Sequence, residues 1–248
     1  MNEREIQEIA EKLRSARSVA VLTGAGISAE SGIPTFRDAL TGMWSQFNAE
    51  ELATPEGFKK NPELVWKWYF DRWTRNAQCK PNPGHLALAE IEAKVRDFTL
   101  LTQNVDGLHQ TAGSKNVVEL HGSLREFKCF DRKHPIDMEL VKNSPERPPK
   151  CPICASPARP GVVWFGELLP RDAVEKASEA IDKANLFFVV GTSGLVQPAA
   201  SFGRAALSLG ATVVVINPDN SANIDGALFL QGPAGEILPK IVADAWPV

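Results

Sequence analysis

VAVLTGAGISAESGIPTFRD, residues 19–38, is the stretch that decides how this chain folds. Val19, Ala20, Val21 and Leu22 make a short apolar run of the kind that fills a strand buried on both faces, and Gly24-Ala25-Gly26 interrupts it. In a strand–turn–helix unit Gly24 permits the tight turn, Gly26 lets the backbone approach a phosphate, and Ala29 takes the third, small position of a G-x-G-x-x-G/A turn. The following helix would offer its free N–H groups to a pyrophosphate. Glycine turns between strand and helix are common, so the polar residues carry more weight: Ser28, Ser31 and Thr35, then Arg37-Asp38 after Pro34 and Phe36. An ordinary dinucleotide site also places an acidic residue about 20 residues on, at the end of the second strand, to hold a ribose. The next convincing strand, Phe98 to Thr102, ends instead in Gln103-Asn104. The stretch predicts a nucleotide-using enzyme other than a plain dehydrogenase.

Further apolar runs at 98–102, 116–119, 162–164, 186–190 and 212–216 are separated by helical stretches at 83–94, 171–183 and 198–209. Strand alternating with helix predicts an α/β fold, a Rossmann-like, mostly parallel sheet with helices on both faces. Ligands of such sheets collect at the carboxyl ends of strands, where Gly24, Gln103, His121, Gly191 and Asn217 all fall. Two segments break the alternation: 39–80, which holds a tryptophan-rich helix, and 124–161, rich in proline, charge and cysteine. They are expected to form a smaller inserted module, with 1–38, 81–123 and 162–248 making the nucleotide-binding domain.

The chain has 248 residues, 44% of them hydrophobic, enough for one large core plus a smaller one. A net charge of -3 gives no basic field, so nucleic acid is not an expected partner. Ile6, Ile9, Ala10 and Leu13 recur at helical spacing among charged residues, an amphipathic surface helix and not a signal peptide. No apolar run reaches membrane-spanning length, and a cytoplasmic monomer is the expectation. Of the four cysteines, Cys129, Cys151 and Cys154 lie within 26 residues and suggest a thiolate site more than a disulfide framework, whereas Cys79 stands apart.

Seven segments taken in order, GAGISAESGIPTFRD at 24–38, TQNVDGLH at 102–109, LHGS at 120–123, KCPIC at 150–154, RPGVVWFGE at 159–167, GTS at 191–193 and INPD at 216–219, resemble the sirtuin family of NAD-dependent protein-lysine deacylases. The resemblance covers nearly the whole chain. It implies NAD as cofactor, acyl-lysine side chains of proteins as substrate, a helical part and a zinc ribbon in the smaller module, and substrate held between modules. In that family the acyl oxygen attacks the nicotinamide ribose as nicotinamide leaves, and a histidine then helps deprotonate a ribose hydroxyl. The absence of a Ser-His-Asp motif fits such chemistry. His121, directly after a buried run, is a reasonable general base from its own context and matches the family's catalytic histidine.

The resemblance assigns Asn104 and Asp106 to the nicotinamide and its ribose, and Gln103 to a ribose contact. Gly24, Ala25, Gly26, Ala29, Thr35, Phe36, Arg37, Gly191, Thr192, Ser193, Asn217 and Ala234 are assigned to NAD. Val162, Val163, Trp164, Phe165, Gly166 and Glu167 match the segment that pairs with substrate backbone, a case of strand addition. On the helix at 62–77, Trp66, Phe70 and Trp73 form one aromatic stripe, while Tyr69 and Arg72 share a different face. A phenol beside a guanidinium suits a carboxylate, although an arginine stacked on a ring would look the same in sequence. The sirtuin subgroup that prefers succinyl, malonyl and glutaryl lysine carries Tyr-x-x-Arg here and a small residue, matched by Ala53, in the acyl pocket. The zinc pattern is incomplete. Cys129, Cys151 and Cys154 are expected ligands, but Arg132 stands where the fourth cysteine would be; His134 or Asp131 can substitute, or the module does without metal. The alternatives to a deacylase are a mono-ADP-ribosyltransferase in the same cleft and a non-catalytic NAD-sensing module. A general deacetylase is the alternative on acyl preference.

Overall fold

The computed structural model describes residues 3–34 and 52–247. Its main sheet is parallel, in the order β3-β2-β1-β7-β8-β9. Here β1 is Ser18–Thr23, β2 Asp97–Thr102, β3 Val117–Glu119, β7 Leu186–Val190, β8 Thr212–Asn217 and β9 Leu228–Gln231. β1 runs beside β2 from Ser18↔Asp97 to Thr23↔Thr102 and beside β7 from Val19↔Leu186 to Thr23↔Val190. The strand order reverses between β1 and β7, and that switch point opens a crevice beyond the strand ends.

Alternation along each strand feeds two cores. Val19 and Val21 of β1 pack with helices α1 (Glu3–Ser15), α5 (Pro83–Lys94) and α10 (Ala234–Ala245); Ala20 and Leu22 pack on the other face with α8 (Arg171–Lys183) and α9 (Phe202–Ser208). In α8 the buried side chains are Ala173, Ala177, Ala180 and Ile181 at helical spacing, and the three alanines let the helix lie close to the sheet.

The smaller module holds helices α3 (Pro55–Lys60) and α4 (Pro62–Asn76) and a sheet of order β5-β4-β6, with β4 Phe127–Cys129, β5 Pro135–Ile136 and β6 Ala158–Pro160; α7 is Met138–Asn143. The phase of α4 is set locally. Asn61 Oδ1 accepts from Leu64 N at 3.0 Å and Pro62 occupies the first turn, a start signal written in the sequence. With that phase Trp66 packs tilted against Phe127 of β4 at 5.5 Å, ring centre to ring centre, and Trp73 meets the same ring edge-on at 6.4 Å. The aromatic stripe faces the ribbon, leaving Tyr69 and Arg72 for the other side.

Two sequence expectations need correction. Val162-Val163-Trp164 is not a strand of the main sheet: Val163 N donates to His121 O at 2.8 Å and Phe165 N to Ala53 O at 2.9 Å, so the segment bridges the two modules. The sixth strand is β9, four residues with only Leu230 fully buried, too short and too mixed to stand out in sequence. The helix expected over 198–209 is divided, with a 3₁₀ turn at Ala199–Ser201 preceding α9.

Candidate active site

A cleft of about 320 Å³ opens at the switch point. Gly24, Ala25, Gln103, Thr192 and Ser193 line it, as do Asn104, Asp106 and His121; from the smaller module come Ala53, Tyr69 and Arg72, and from the bridge between the modules the segment 162–167. Thr35, Phe36 and Arg37 lie outside the described residues. Five other sequence-predicted residues do not line the cleft. Gly26 N donates to Gly191 O at 2.7 Å, and a Cβ on Gly26 would lie 2.7 Å from that oxygen, so its glycine is required by contact with the neighbouring turn. Gly191 itself has φ +60. Asn217 braces the same turn, donating from Nδ2 to Thr192 O at 2.9 Å. Ala29 is exposed on α2 (Ala25–Ala29), and Ala234 is buried at the start of α10.

His121 sits two residues beyond β3, and its Nδ1 lies 3.1 Å from Gln103 O. A carbonyl only accepts, so Nδ1 carries the proton in this bond and Nε2 is left with its lone pair. Burial lowers the pKa of the ring, against the opposing effect of the Gln103 carbonyl. The result is an imidazole that is neutral at pH 7 and able to take a proton.

Behind the cleft lies a directed chain of hydrogen bonds. Asn82 N donates to His85 Nδ1 at 3.4 Å, which leaves His85 Nε2 to donate toward Ser28 Oγ at 3.4 Å; Ser28 donates to Asp106 Oδ2 at 2.8 Å. Asn104 Nδ2 donates to Gly24 O at 3.0 Å and to Ser28 Oγ at 3.2 Å. Burial raises the Asp106 carboxyl above its ordinary range, opposed by Leu108 N–H, the Ser28 hydroxyl, Arg125 and Arg72. His109, on α6 (Leu108–Thr111), points Nε2 at Thr23 Oγ1 at 3.0 Å, with its ring 4.8 Å from that of His85.

Burial depresses His85 to about 4 and His109 to about 3. The unfolded chain protonates both near pH 6.5. Stability is therefore full above about pH 6.5 and lost as the pH falls through the folded values, by on the order of 3 kcal/mol per ring. Thermal melts from pH 7 to 4 should show the loss, and His109→Gln should flatten it. An unchanged slope in that variant would show that other groups dominate the acid response.

Tyr69 is 6% exposed, and burial pushes its phenol up, so it stays a hydrogen-bond donor at any working pH. Arg72 has its guanidinium carbon 5.1 Å from the centre of the Trp68 ring, the stacked arrangement the sequence allowed, and it also lines the cleft. Asp71, between them in sequence, does not line it.

The sequence model of the Sir2 family matches residues 24–198. The chain belongs to the Sir2 family. Sir2 relatives include an NAD-dependent protein deacylase of Ralstonia nicotianae, 49% identical with 93% of each chain covered, and one of Pyrococcus abyssi, 46% identical with 96% of each covered. Among solved structures, a Sir2 homologue in complex with NAD matches with a TM-score of 0.87 at 42% identity, covering 96% of this chain and 93% of that one. A mutant Sir2 homologue in a 2′-O-acetyl ADP ribose complex matches with a TM-score of 0.87 at 43% identity, covering 99% and 96%.

This Sir2 chain also gathers a metal-binding donor set in its ribbon. The ligand atoms of Cys129, His134, Cys151 and Cys154 all lie within 4.8 Å of one another, and Asp131 is not among them. Cys154 Sγ is 3.6 Å from Cys129 Sγ, and His134 Nδ1 is 3.7 Å from Cys151 Sγ. Zn–S bonds of about 2.3 Å in a tetrahedron set sulfurs roughly 3.8 Å apart, so the donors fit zinc. His134 takes the place that Arg132 fails to fill. Lys133, between the ligands, has φ +61, and this left-handed turn brings His134 back until its N–H reaches Cys129 Sγ at 3.2 Å. Burial would raise the Cys151 thiol, but the N–H groups of Ile153 and Cys154, together with the His134 ring, bring it down to about 6. Purified protein should carry close to one zinc per chain, and His134→Ala or Cys151→Ser should lose metal and melt at lower temperature. Metal analysis finding none in never-chelated wild-type protein would show that the ribbon folds without it.

Sequence reasoning gave no role in the Sir2 site to Ser28, His85 and Arg159. His85 follows Asn82-Pro83-Gly84 at a helix start, where its ring completes a reciprocal cap with Asn82. Arg159 stands between Ala158 and Pro160 in a three-residue strand and is 0% exposed. A charge inside an apolar strand demands a buried partner, and that was the available signal.

Proposed function

We propose that this chain is an NAD-dependent protein-lysine deacylase whose acyl pocket favours succinyl, malonyl and related acidic groups. The observation that carries the reading is that Tyr69 and Arg72 line the same cleft as His121. NAD supplies the leaving group and the ribose that accepts the acyl group. Gly24 and Ala25 line the phosphate end, with the Gly24 N–H committed to Val190 O, Thr192 and Ser193 face it, and Gln103 reaches a ribose. Asn104, fixed to Gly24 O and Ser28, and Asp106, held by Ser28 and Leu108 N, orient the nicotinamide end. Nε2 of His121 accepts the proton of a ribose hydroxyl. The backbone of 162–167 takes the peptide beside the acyl-lysine channel, and Ala53, 4% exposed, leaves room for a longer acyl chain. At its end the Tyr69 hydroxyl and the Arg72 guanidinium hold the carboxylate.

A mono-ADP-ribosyltransferase would use the same nucleotide residues but leaves the Tyr69–Arg72 pair without a task. Incubation of the protein with NAD and succinyl-lysine or acetyl-lysine peptide, read by mass, separates the readings. Free lysine peptide with O-acyl-ADP-ribose supports deacylation; a mass gain on protein supports ADP-ribosyl transfer. No product from either peptide would overturn the proposal. In the ribbon, zinc held by Cys129, His134, Cys151 and Cys154 contributes folding energy and takes no part in the reaction.

A further inference from the structure

The segment 162–167 lines the cleft, and besides its backbone bonds to His121 and Ala53 it is held by an ion pair between buried Arg159 and half-buried Glu167. Arg159 Nη1 donates to Glu167 Oε1 at 2.7 Å, and Nη2 donates to Glu167 Oε2 at 2.8 Å and to Val162 O at 2.9 Å. The guanidinium carbon sits 3.3 Å from the centre of the Trp164 ring, and Trp164 N donates to Glu167 Oε2 at 2.9 Å. One arginine and one glutamate thus fix the first residue of the segment, the last, and both the ring and backbone of the residue between them. Burial would raise the Glu167 carboxyl, but Arg159, Trp164 N–H and Lys133 hold it down to about 2.

The pair is anchored from the ribbon side. Arg159 on β6 lies opposite Lys128 on β4, one register step from Cys129↔Ala158. Lys133, inside the turn between Cys129 and His134, reaches Glu167 Oε1 at 3.2 Å. On the other side Trp164 stands 6.2 Å, ring to ring, from Tyr69 in the acyl pocket. Taking the Arg159 charge wholly and the Glu167 charge mostly out of water is expensive, so stability alone gives a weak account of the pair. Its geometry gives a better one, since a bidentate fork specifies a single position for the segment.

We propose that Arg159 and Glu167 are positioning residues for the acyl-peptide cleft, and that their ion pair transmits the fold of the cysteine–histidine ribbon to the segment 162–167. This rests on the reading of that segment as the peptide contact. Neither residue belongs to the turn at Gly24 and Ala25 or to the pair Thr192 and Ser193, so the effect is expected on peptide binding and not on the nucleotide.

Steady-state kinetics of Glu167→Gln and Arg159→Lys test it. The peptide KM is expected to rise by at least about tenfold while the NAD KM stays within about twofold, because a misplaced peptide contact acts before the chemistry. Zinc content should remain that of the wild type. Hydrogen–deuterium exchange over 162–167 should accelerate with β1 and β2 unchanged. Lys133→Met, at an exposed residue, should shift peptide KM and exchange in the same direction by less, and it keeps the test open if Arg159→Lys does not fold. A fall in kcat with both KM values unchanged, or slow exchange retained over 162–167 in Glu167→Gln, would overturn the proposal and leave the pair as fold support only. A wild-type protein that turns over no acyl peptide would defeat the proposed function separately, and the exchange measurement would still judge the brace.

Discussion

Replacing His121 by alanine is expected to lower kcat on acyl peptide by about 10²–10⁴-fold, the range lost with a positioned general base. Nδ1 is committed to the Gln103 carbonyl, so the ring is fixed with Nε2 as its basic atom. Among the described residues lining the cleft there is no second histidine to take over. The variant leaves the Gln103 carbonyl without that donor, at a stability loss on the order of 1 kcal/mol, too little to explain the activity change. NAD binding should remain within about twofold, because loss of the base acts on a proton transfer and not on ground-state binding. Calorimetric NAD titration alongside single-turnover assays would separate the two. Turnover close to wild type in the purified variant would remove His121 from the chemistry.

The second large effect concerns which acyl group is removed. Arg72→Met is expected to cut kcat/KM for succinyl peptide by roughly ten- to a hundredfold, equivalent to the loss of a charge-assisted contact of about 1.5–3 kcal/mol. Acetyl peptide, with no carboxylate to hold, should stay within about threefold. Methionine keeps much of the packing against Trp68 while removing the charge. The substitution has one side effect whose sign is known. Arg72 lowers the Asp106 pKa, so its removal lets burial raise that carboxyl further. Both peptides assayed at one pH share any such change, so the ratio of their losses isolates the effect on the acyl group. Equal losses on both peptides would assign Arg72 to the fold and describe a general deacetylase instead.

Much of this was legible from local pattern. Short continuous apolar runs in VAVL, FTLL and TVVVI, alternating with helical stretches, specified strands of a parallel sheet, and the three-residue spacing of Tyr69 and Arg72 put them on one face of α4. Strand ends carry ligands in such sheets, so the positions of Gly24, Gln103 and His121 followed from where apolar runs stop, whereas Gly191 and Asn217, read the same way, do not line the cleft. The failures have an equally physical cause. Val162-Val163-Trp164 has strand composition, but β composition reports a fit to a half-buried extended surface, and the chain meets that need by bridging two modules. β9 was lost because its burial pattern is mixed along four residues.

The amino-acid sequence by itself determined the α/β sheet, the glycine turn, the strand-end placement of His121 and the shared helix face of Tyr69 and Arg72, because each depends on spacing within one element or on the residue at its end. It left open what depends on segments distant in the chain meeting in space. The fourth ribbon ligand was undecided between His134 and Asp131 until the left-handed turn at Lys133 folded His134 back onto Cys129. The role of Gly26 in meeting Gly191, the chain from Asn82 through His85 and Ser28 to Asp106, and the Arg159–Glu167 brace join residues that no local periodicity connects. Only tertiary structure decided these, because burial turns a polar group into a demand for a partner, and the fold alone says which partner is within reach.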